Sequence, residues 1–189
     1  MDLGRADWAW ADWWWVLAAL VVLLVLGLWL WWTAERLDRM HHRLEVARGS
    51  LDAQLLRRSG AALEVATAGT VDPARSLVLV DAAHHARSVT DGEWEAAESD
   101  LSAALRAVFP DADEVRSLRA TPDAGPLLDE LAGTCRKVEL ARRFHNDVVT
   151  SARALRSRRR VRWLRLAGRA PMPVSVDLDD VPPPAFVAD

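Results

Sequence analysis

The chain has 189 residues, with 24 basic and 27 acidic side chains and a formal net charge of −3 at pH 7. Its length suits one domain, because about 155 residues remain after an apolar N-terminal run and can bury a core. The single cysteine, Cys135, excludes an intramolecular disulfide and a thiolate metal cluster, and it favours a reducing compartment.

The first predicted element is an uncharged run over residues 13–34, WWWVLAALVVLLVLGLWLWWTA. As an α-helix it is about 33 Å long, which matches a hydrocarbon core of about 30 Å. A cleaved signal peptide has a basic start and a small-residue cleavage site, and this N-terminus has neither. We therefore predict a transmembrane helix. Six tryptophans at its two ends are predicted to anchor it at the membrane interfaces: Trp13, Trp14, Trp15, Trp29, Trp31 and Trp32.

The charges that flank the run predict its orientation. Arg5 precedes it together with three aspartates, whereas four arginines follow it: Arg36, Arg39, Arg43 and Arg48. Basic residues close to a span favour the cytoplasmic side. We therefore predict a single-pass protein of the plasma or inner membrane, with a short N-terminus outside, residues 1–12, and residues 35–189 in the cytoplasm.

Helical periodicity continues after the span. The first helix runs on with apolar residues at every third or fourth position and ends near Gly69. Asp72 and Pro73 open a second helix to about Val89, whose LVLV stretch also fits a buried strand, and Asp91 is predicted to cap a third helix to Val108. A polar connection, PDADEVRSLRATPDAGP, precedes a last long helix with a bundle seam over residues 127–155.

These elements predict the fold class. We expect an all-α fold in which one N-terminal transmembrane helix continues into an antiparallel four-helix bundle, residues 35–168, with long first and last helices. Residues 169–189 are predicted to form an extended or disordered tail, because five prolines prevent a helix from continuing. Within the tail, VDLDDVPPPAF is either plain disorder or a short docking motif.

Two blocks of the sequence resemble a known family. LEVARGSLDAQLLRRSGAALEVA lies in the first helix after the span, and DELAGTCRKVELARRFHNDVV lies in the last helix. With the N-terminal span, they are similar to the LemA family of membrane-anchored bacterial helical proteins over most of residues 13–168. The second block matches the family pattern at Asp129, Glu130, Gly133, Thr134, Ala141, Arg142, Arg143 and Asn146, and departs from it at Cys135, Arg136 and His145. The resemblance implies a divergent member with an outside N-terminus, a cytoplasmic bundle and no established catalytic activity.

One candidate site is a polar layer between the first and last helices. It comprises Arg57, Arg58, Arg142, His145 and Asn146, and it either fixes the helix register or binds an anion. In the alternative that we favour, most of these arginines are solvated while their stems cover apolar surface, and His145 is a satisfied core residue.

The sequence lacks the motifs of common catalytic and cofactor sites. It has no glycine-rich phosphate loop, nucleophile elbow or H-E-x-x-H motif. His41-His42 and His84-His85 are adjacent pairs, and neighbouring side chains on a helix point about 100° apart, so neither pair chelates a metal alone. We therefore predict no enzymatic activity, no metal and no cofactor.

The segment SARALRSRRRVRWLRLAGR, at the end of the last helix, carries eight arginines. If the four helices alternate in direction, this segment returns to the membrane, where anionic headgroups attract arginine and the interface accommodates tryptophan. The candidate lipid-contacting residues are Arg158, Arg159, Arg160, Arg162, Trp163 and Arg165. A solvated helix end and nucleic-acid binding are the alternatives, and we favour lipid contact.

Together these features predict a non-enzymatic scaffold or adaptor for membrane or envelope proteins. Its expected partners are the lipid bilayer and other membrane proteins or further copies of itself, and nucleic acid is not expected. The alternative is a small-molecule or anion binder, or an enzyme, that uses the Arg/His layer between the first and last helices.

Overall fold

The structure is a computed structural model that describes residues 7–89, 92–157 and 171–187. These residues form no strand, and their helices are α1 (Asp7–Thr67), α2 (Pro73–Ser88), α3 (Trp94–Val108), α4 (Ala112–Arg119), α5 (Gly125–Arg156) and α6 (Pro184–Val187). The all-α prediction is therefore confirmed, and the LVLV stretch lies within α2.

The longest element, α1, is a single helix of 61 residues. No proline lies within it, so its ladder of main-chain hydrogen bonds runs without interruption from the apolar run into the domain. Residues 13–28 are exposed all around the helix, and Ala47 is the first buried residue among the described side chains. The N-terminal part of α1 is long and apolar enough to cross a membrane.

A short turn joins α1 to α2. Gly69 has a φ of 70°, a left-handed conformation that glycine adopts without a steric penalty. Asp72 then caps α2, because its Oδ1 accepts hydrogen bonds from the main-chain nitrogens of Ala74 and Arg75 at 3.0 and 3.2 Å. Pro73 occupies the first turn. The predicted helix end near Gly69 and the predicted start of α2 are confirmed.

Two local features differ from the sequence-based prediction. The N-cap position of α3 is Glu93, which makes no side-chain capping hydrogen bond, and Asp91 lies outside the described residues. The predicted polar connection contains α4, which Asp111 caps by accepting a hydrogen bond from the nitrogen of Asp113 at 2.9 Å. Val115 is buried, and Ala112 and Leu118 pack against the same cluster, so an apolar spacing of three over these eight residues was the sequence signal for α4 that the prediction missed.

The buried apolar side chains form two clusters. The larger cluster joins the end of α1 to α2, α3, α4, the start of α5 and α6, and it includes Phe186 packed on Phe109 with 5.2 Å between ring centroids. The smaller cluster consists of Leu51, Leu55, Val138, Ala141, Val176 and Leu178, with Trp94 against it. Residues 171–187 therefore contribute buried side chains to both clusters.

Candidate functional site

The most densely bonded surface of the domain lies under the C-terminal tail. We call the face of α3 and α5 that holds residues 171–181 the tail groove; its polar contacts to the tail come from Glu95, Ser99, Arg106, Arg142, Asn146, Arg153 and Arg156. Within the tail, Val176, Leu178 and Asp180 are buried, while residues 177, 179 and 181 are exposed. This period of two is that of an extended chain.

Several side chains of the groove bind the main chain of the tail. The Asn146 amide donates to the Val176 carbonyl and accepts from the Val176 nitrogen, both at 2.9 Å. The Ser99 hydroxyl oxygen accepts from the nitrogen of Asp179 at 3.0 Å. Arg153 Nε donates to the Pro173 carbonyl at 2.7 Å. Contacts of this kind depend on the extended conformation and not on the side chains of the bound segment.

Two consecutive aspartates of the tail each receive two hydrogen bonds from an arginine. Arg142 donates from Nε and Nη2 to Asp180 at 2.5 and 3.0 Å, and Arg106 donates from Nη2 and Nη1 to Asp179 at 2.5 and 3.2 Å. The hydrogen bond from Arg106 lowers the pKa of Asp179, and the hydrogen bond to Asp180 raises the pKa of Arg142. Paired charge-assisted bonds are among the strongest and most directional in proteins.

His145 lies beneath the start of the tail and is 3% exposed. Neither ring nitrogen has a hydrogen-bond partner of normal geometry among the described residues. Burial lowers the pKa of His145, against the influence of the Val174 main chain, while the charge of Arg48 lowers it further and that of Asp52 opposes this. The lowered pKa keeps the imidazole in the floor of the groove mostly uncharged at neutral pH, beside the Val174 main chain.

A second polar cluster connects α1 to α3. Arg58 is 1% exposed and donates to the carboxylate of Glu98 at 2.6 Å and to the hydroxyl of Ser102 at 2.9 Å. Burial raises the pKa of Glu98, and Arg58 opposes that rise. Burial likewise raises the pKa of the Cys135 thiol to about 11, so this cysteine is a poor nucleophile at neutral pH.

The structure separates the predicted polar layer into different environments. Arg57 is exposed. Arg58 is buried and donates to Glu98 on α3, a partner that the sequence analysis did not predict. Arg142, His145 and Asn146 come together, and they face the tail. The sequence analysis did not identify Glu98 and Asp180 as partners of these arginines. The signal available for Asp180 was the pair Asp179-Asp180, which follows the alternating apolar residues 174, 176 and 178.

The other predicted residues divide between described and undescribed parts of the chain. Five of the six anchoring tryptophans are exposed on α1 and Trp29 is half-buried. The candidate lipid-contacting residues Arg158, Arg159, Arg160, Arg162, Trp163 and Arg165 lie outside the described residues. Within the described ranges, no three His, Cys, Asp or Glu side chains are grouped so as to hold a metal ion.

An open cleft of about 470 Å³ lies beside the tail groove. Its lining includes Arg48, Asp52, Arg87, Trp94 and Glu98, and the Arg48 guanidinium stacks over the Trp94 ring at 4.7 Å from its centroid. The cleft therefore mixes both charge signs around one aromatic side chain, and it does not single out one class of ligand.

We predict that breaking the Arg58–Glu98 pair from one side destabilises the domain more than removing both charges. Glu98→Leu leaves a guanidinium buried without its carboxylate and should cost about 3–5 kcal/mol in the free energy of unfolding. Arg58→Met with Glu98→Leu should cost clearly less. Urea unfolding in detergent measures both, with Arg57→Met as an exposed control that changes stability by about 0.5 kcal/mol or less. A double variant that is as unstable as Glu98→Leu alone, or less stable, would contradict this prediction.

We also predict a stability loss in acid that depends on His145. Because burial lowers its pKa in the folded chain, the unfolded chain takes up the proton first, so stability is retained above about pH 6.5 and is lost as the pH falls toward the folded-state pKa. His145→Phe should narrow the difference in thermal midpoint between pH 7.5 and pH 5, measured by circular dichroism. The exposed control His85→Phe should leave that difference unchanged. An equal difference in thermal midpoint between the two pH values in both variants would refute the role of His145.

The site consists of an extended tail bound in a groove and of a buried ion pair behind it. Both are built from residues distant in sequence, so they are properties of this particular tertiary arrangement. No family model, curated protein or solved structure matches the chain.

Proposed function

We propose that the chain is a single-span membrane protein whose helical bundle works as a scaffold or adaptor on the cytoplasmic side of the bilayer. The observation that carries the proposal is the continuity of α1, which unites the exposed apolar residues 13–28 with the buried positions from Ala47 onward. One helix in both environments fixes the height of the domain above the membrane. The same order of parts supports membership of the LemA family as a divergent branch.

In this proposal α1 and α5 are the antiparallel long helices of a bundle with α2 and α3. Leu51 and Leu55 cluster with Val138 and Ala141, whereas residues 61–66 cluster with residues 128–135. Residues with higher numbers in α1 therefore lie beside residues with lower numbers in α5, as in an antiparallel pair. At about 1.5 Å per residue, this register sets the end of α5 roughly level with Asp38, about 9 Å along α1 from Trp32.

Lipid contact by the Arg-rich segment follows from that register. α5 ends at Arg156, and the chain returns to the same end, because Arg156 Nη1 donates to the Pro171 carbonyl at 2.6 Å. Ser157 and Pro171, the described residues on either side of this segment, thus lie at the end of α5 that we place near the headgroups. A basic residue close to an anionic leaflet contributes about 1 kcal/mol to binding, so arginines 158, 159, 160 and 162 together attract the domain to the surface.

The way in which the polar groups are used supports binding over catalysis. Arg58 and Glu98 satisfy each other in the interior, and Arg142 and Asp180 do so in the groove. Groups engaged in this way hold the fold and a bound segment in place. We therefore propose the bilayer and other membrane proteins as partners.

The lipid contact is tested with the full chain in nanodiscs. An environment-sensitive fluorophore on Val161→Cys is selective, because Cys135 is buried and its thiol has a raised pKa of about 11. We expect blue-shifted emission with anionic lipid relative to zwitterionic lipid. Changing Arg158, Arg159, Arg160 and Arg162 to Glu should abolish the shift, since like charges repel.

A matched control carries the same change in net charge elsewhere. Arg57, Arg87, Arg116 and Arg136 are exposed and lie toward the far end of the domain in the proposed register. Changing these four to Glu should leave the emission shift in place. Identical emission in anionic and zwitterionic nanodiscs would refute lipid contact by this segment.

The scaffold role is tested by crosslinking in cells followed by mass spectrometry of the membrane fraction. We expect reproducible protein partners for the full chain, because an adaptor binds through its domain. A control with residues 1–46 fused to an unrelated soluble domain keeps the anchor and should lose those partners. If the control recovers the same proteins, the bundle is not the binding part.

A further inference from the structure

We propose that the tail groove is a binding site for an extended acidic segment of a partner protein, and that the C-terminal tail is its resident competitor. The inference rests on the adaptor role proposed above and names the surface through which that role is exercised. The segment is defined by its chemistry: an extended chain with two apolar residues at alternate positions, followed directly by two acidic residues.

The first requirement, an extended main chain, is set by Asn146 and Ser99. The Asn146 amide pairs with both the carbonyl and the nitrogen of Val176 at 2.9 Å, and Ser99 accepts from the nitrogen of Asp179. Glu95 Oε1 accepts in the same way from the nitrogen of Asp177 at 3.2 Å. Asn146 on α5 bonds one edge of the bound segment, and Glu95 and Ser99 on α3 bond the opposite edge, so the peptide groups are satisfied whatever the side chains are.

The second requirement, two apolar side chains, is set by the smaller cluster. Val176 and Leu178 are buried there against Leu51, Leu55 and Val138. The residues between and around them are not recognised: Val174 is 74% exposed and Val181 is 58% exposed. Alternate anchoring with free intervening positions is the pattern by which grooves recognise extended peptides.

The third requirement, two acidic side chains, is set by Arg142 and Arg106. Each forms a two-bond pair with one of the adjacent aspartates, Asp180 and Asp179, and Arg106 also donates to the Val181 carbonyl at 2.8 Å. Planar guanidinium groups match carboxylates in this geometry better than lysine would. The site is therefore complementary in charge to acidic segments and repels basic ones.

One feature of the occupied groove indicates that the tail does not fit it fully. His145 is nine-tenths buried under the tail, and neither of its ring nitrogens has a partner of normal geometry among the described residues. A buried polar group without a well-aligned partner is destabilising. A segment that satisfies the ring better than the tail does would displace the tail more easily.

The tail competes intramolecularly, because it is covalently joined to α5. Residues 158–170 connect Ser157 to Pro171, and a tethered segment of this length competes at an effective concentration of about millimolar. A free peptide in solution is therefore outcompeted, whereas a partner held in the same membrane has a comparable local concentration. The tail thereby raises the local concentration that a partner needs in order to bind, which favours membrane-bound partners.

The test uses the detergent-solubilised full chain and a fluorescent peptide with the sequence of residues 171–187. In an opened chain, Asp179→Arg and Asp180→Arg repel the tail from Arg106 and Arg142. We expect this peptide to bind the opened chain more than about ten-fold tighter than the unaltered chain, by fluorescence anisotropy. Asn146→Ala in the opened chain should weaken binding by about ten-fold, because the bond to the main chain is lost.

Two altered peptides define the recognised pattern. One carries Asp179→Asn and Asp180→Asn and should bind at least about ten-fold more weakly, because the charged pairs are lost. The other carries Val174→Ser, Asp177→Ser and Val181→Ser at exposed positions and should bind within about three-fold of the original or better. Loss of binding with the second peptide would show that the groove accepts its own tail alone, which overturns the proposal.

Two further outcomes also decide the question. If the opened chain is folded by circular dichroism and still binds no peptide, the groove is not a receptor. If it unfolds, Ser99→Cys is placed in the otherwise unaltered chain and offered a peptide with Asp179→Cys; a mixed disulfide supports exchange and its absence overturns it. Crosslinking between Ser99→Cys and Asp179→Cys on two differently tagged copies, without peptide capture, assigns the groove to a second copy. None of these measurements depends on lipid, so their failure is distinct from failure of the membrane contact.

Discussion

The rest of the structure depends on the uninterrupted backbone of α1. A helix satisfies all its interior main-chain groups along its own axis, so it passes from an apolar to an aqueous environment without exposing an unpaired amide. In this chain the same 61 residues supply the exposed apolar surface at one end and the buried positions of the domain at the other. Every other described helix packs on α1, either directly or through a neighbouring helix.

Packing on that rod brings charged side chains into the interior, and their pairing shapes the domain. A guanidinium is costly to bury alone, and Arg58 is accommodated because α3 presents the carboxylate of Glu98 and the hydroxyl of Ser102. In the groove, Arg142 reaches Asp180 in a similar way, but this partner arrives on the tail. The first pair connects two helices of the domain, and the second connects the domain to a segment that we propose is exchangeable.

The tail groove and the proposed membrane contact both involve the C-terminal end of α5. At the end of α5, Arg156 Nη1 donates to the Pro171 carbonyl, so the start of the described tail lies beside the last turn of the helix. His145 lies under the same part of the tail, where burial lowers its pKa. In the two proposals, lipid and partner therefore act at the same end of α5.

The sequence by itself determined the four longer helices, α1, α2, α3 and α5, because their signals are local. Apolar periodicity, the Asp72-Pro73 start, the left-handed Gly69 and the uncharged run each act through contacts a few residues apart. It also showed the alternation in the tail, without showing what the tail binds. Only the tertiary structure decided that α4 lies in the connection, that Arg58 pairs with Glu98, and that Asn146 and Arg142 hold residues 176 and 180. These contacts span 30 or more positions, and they form only after packing has placed the helices, which no local pattern specifies.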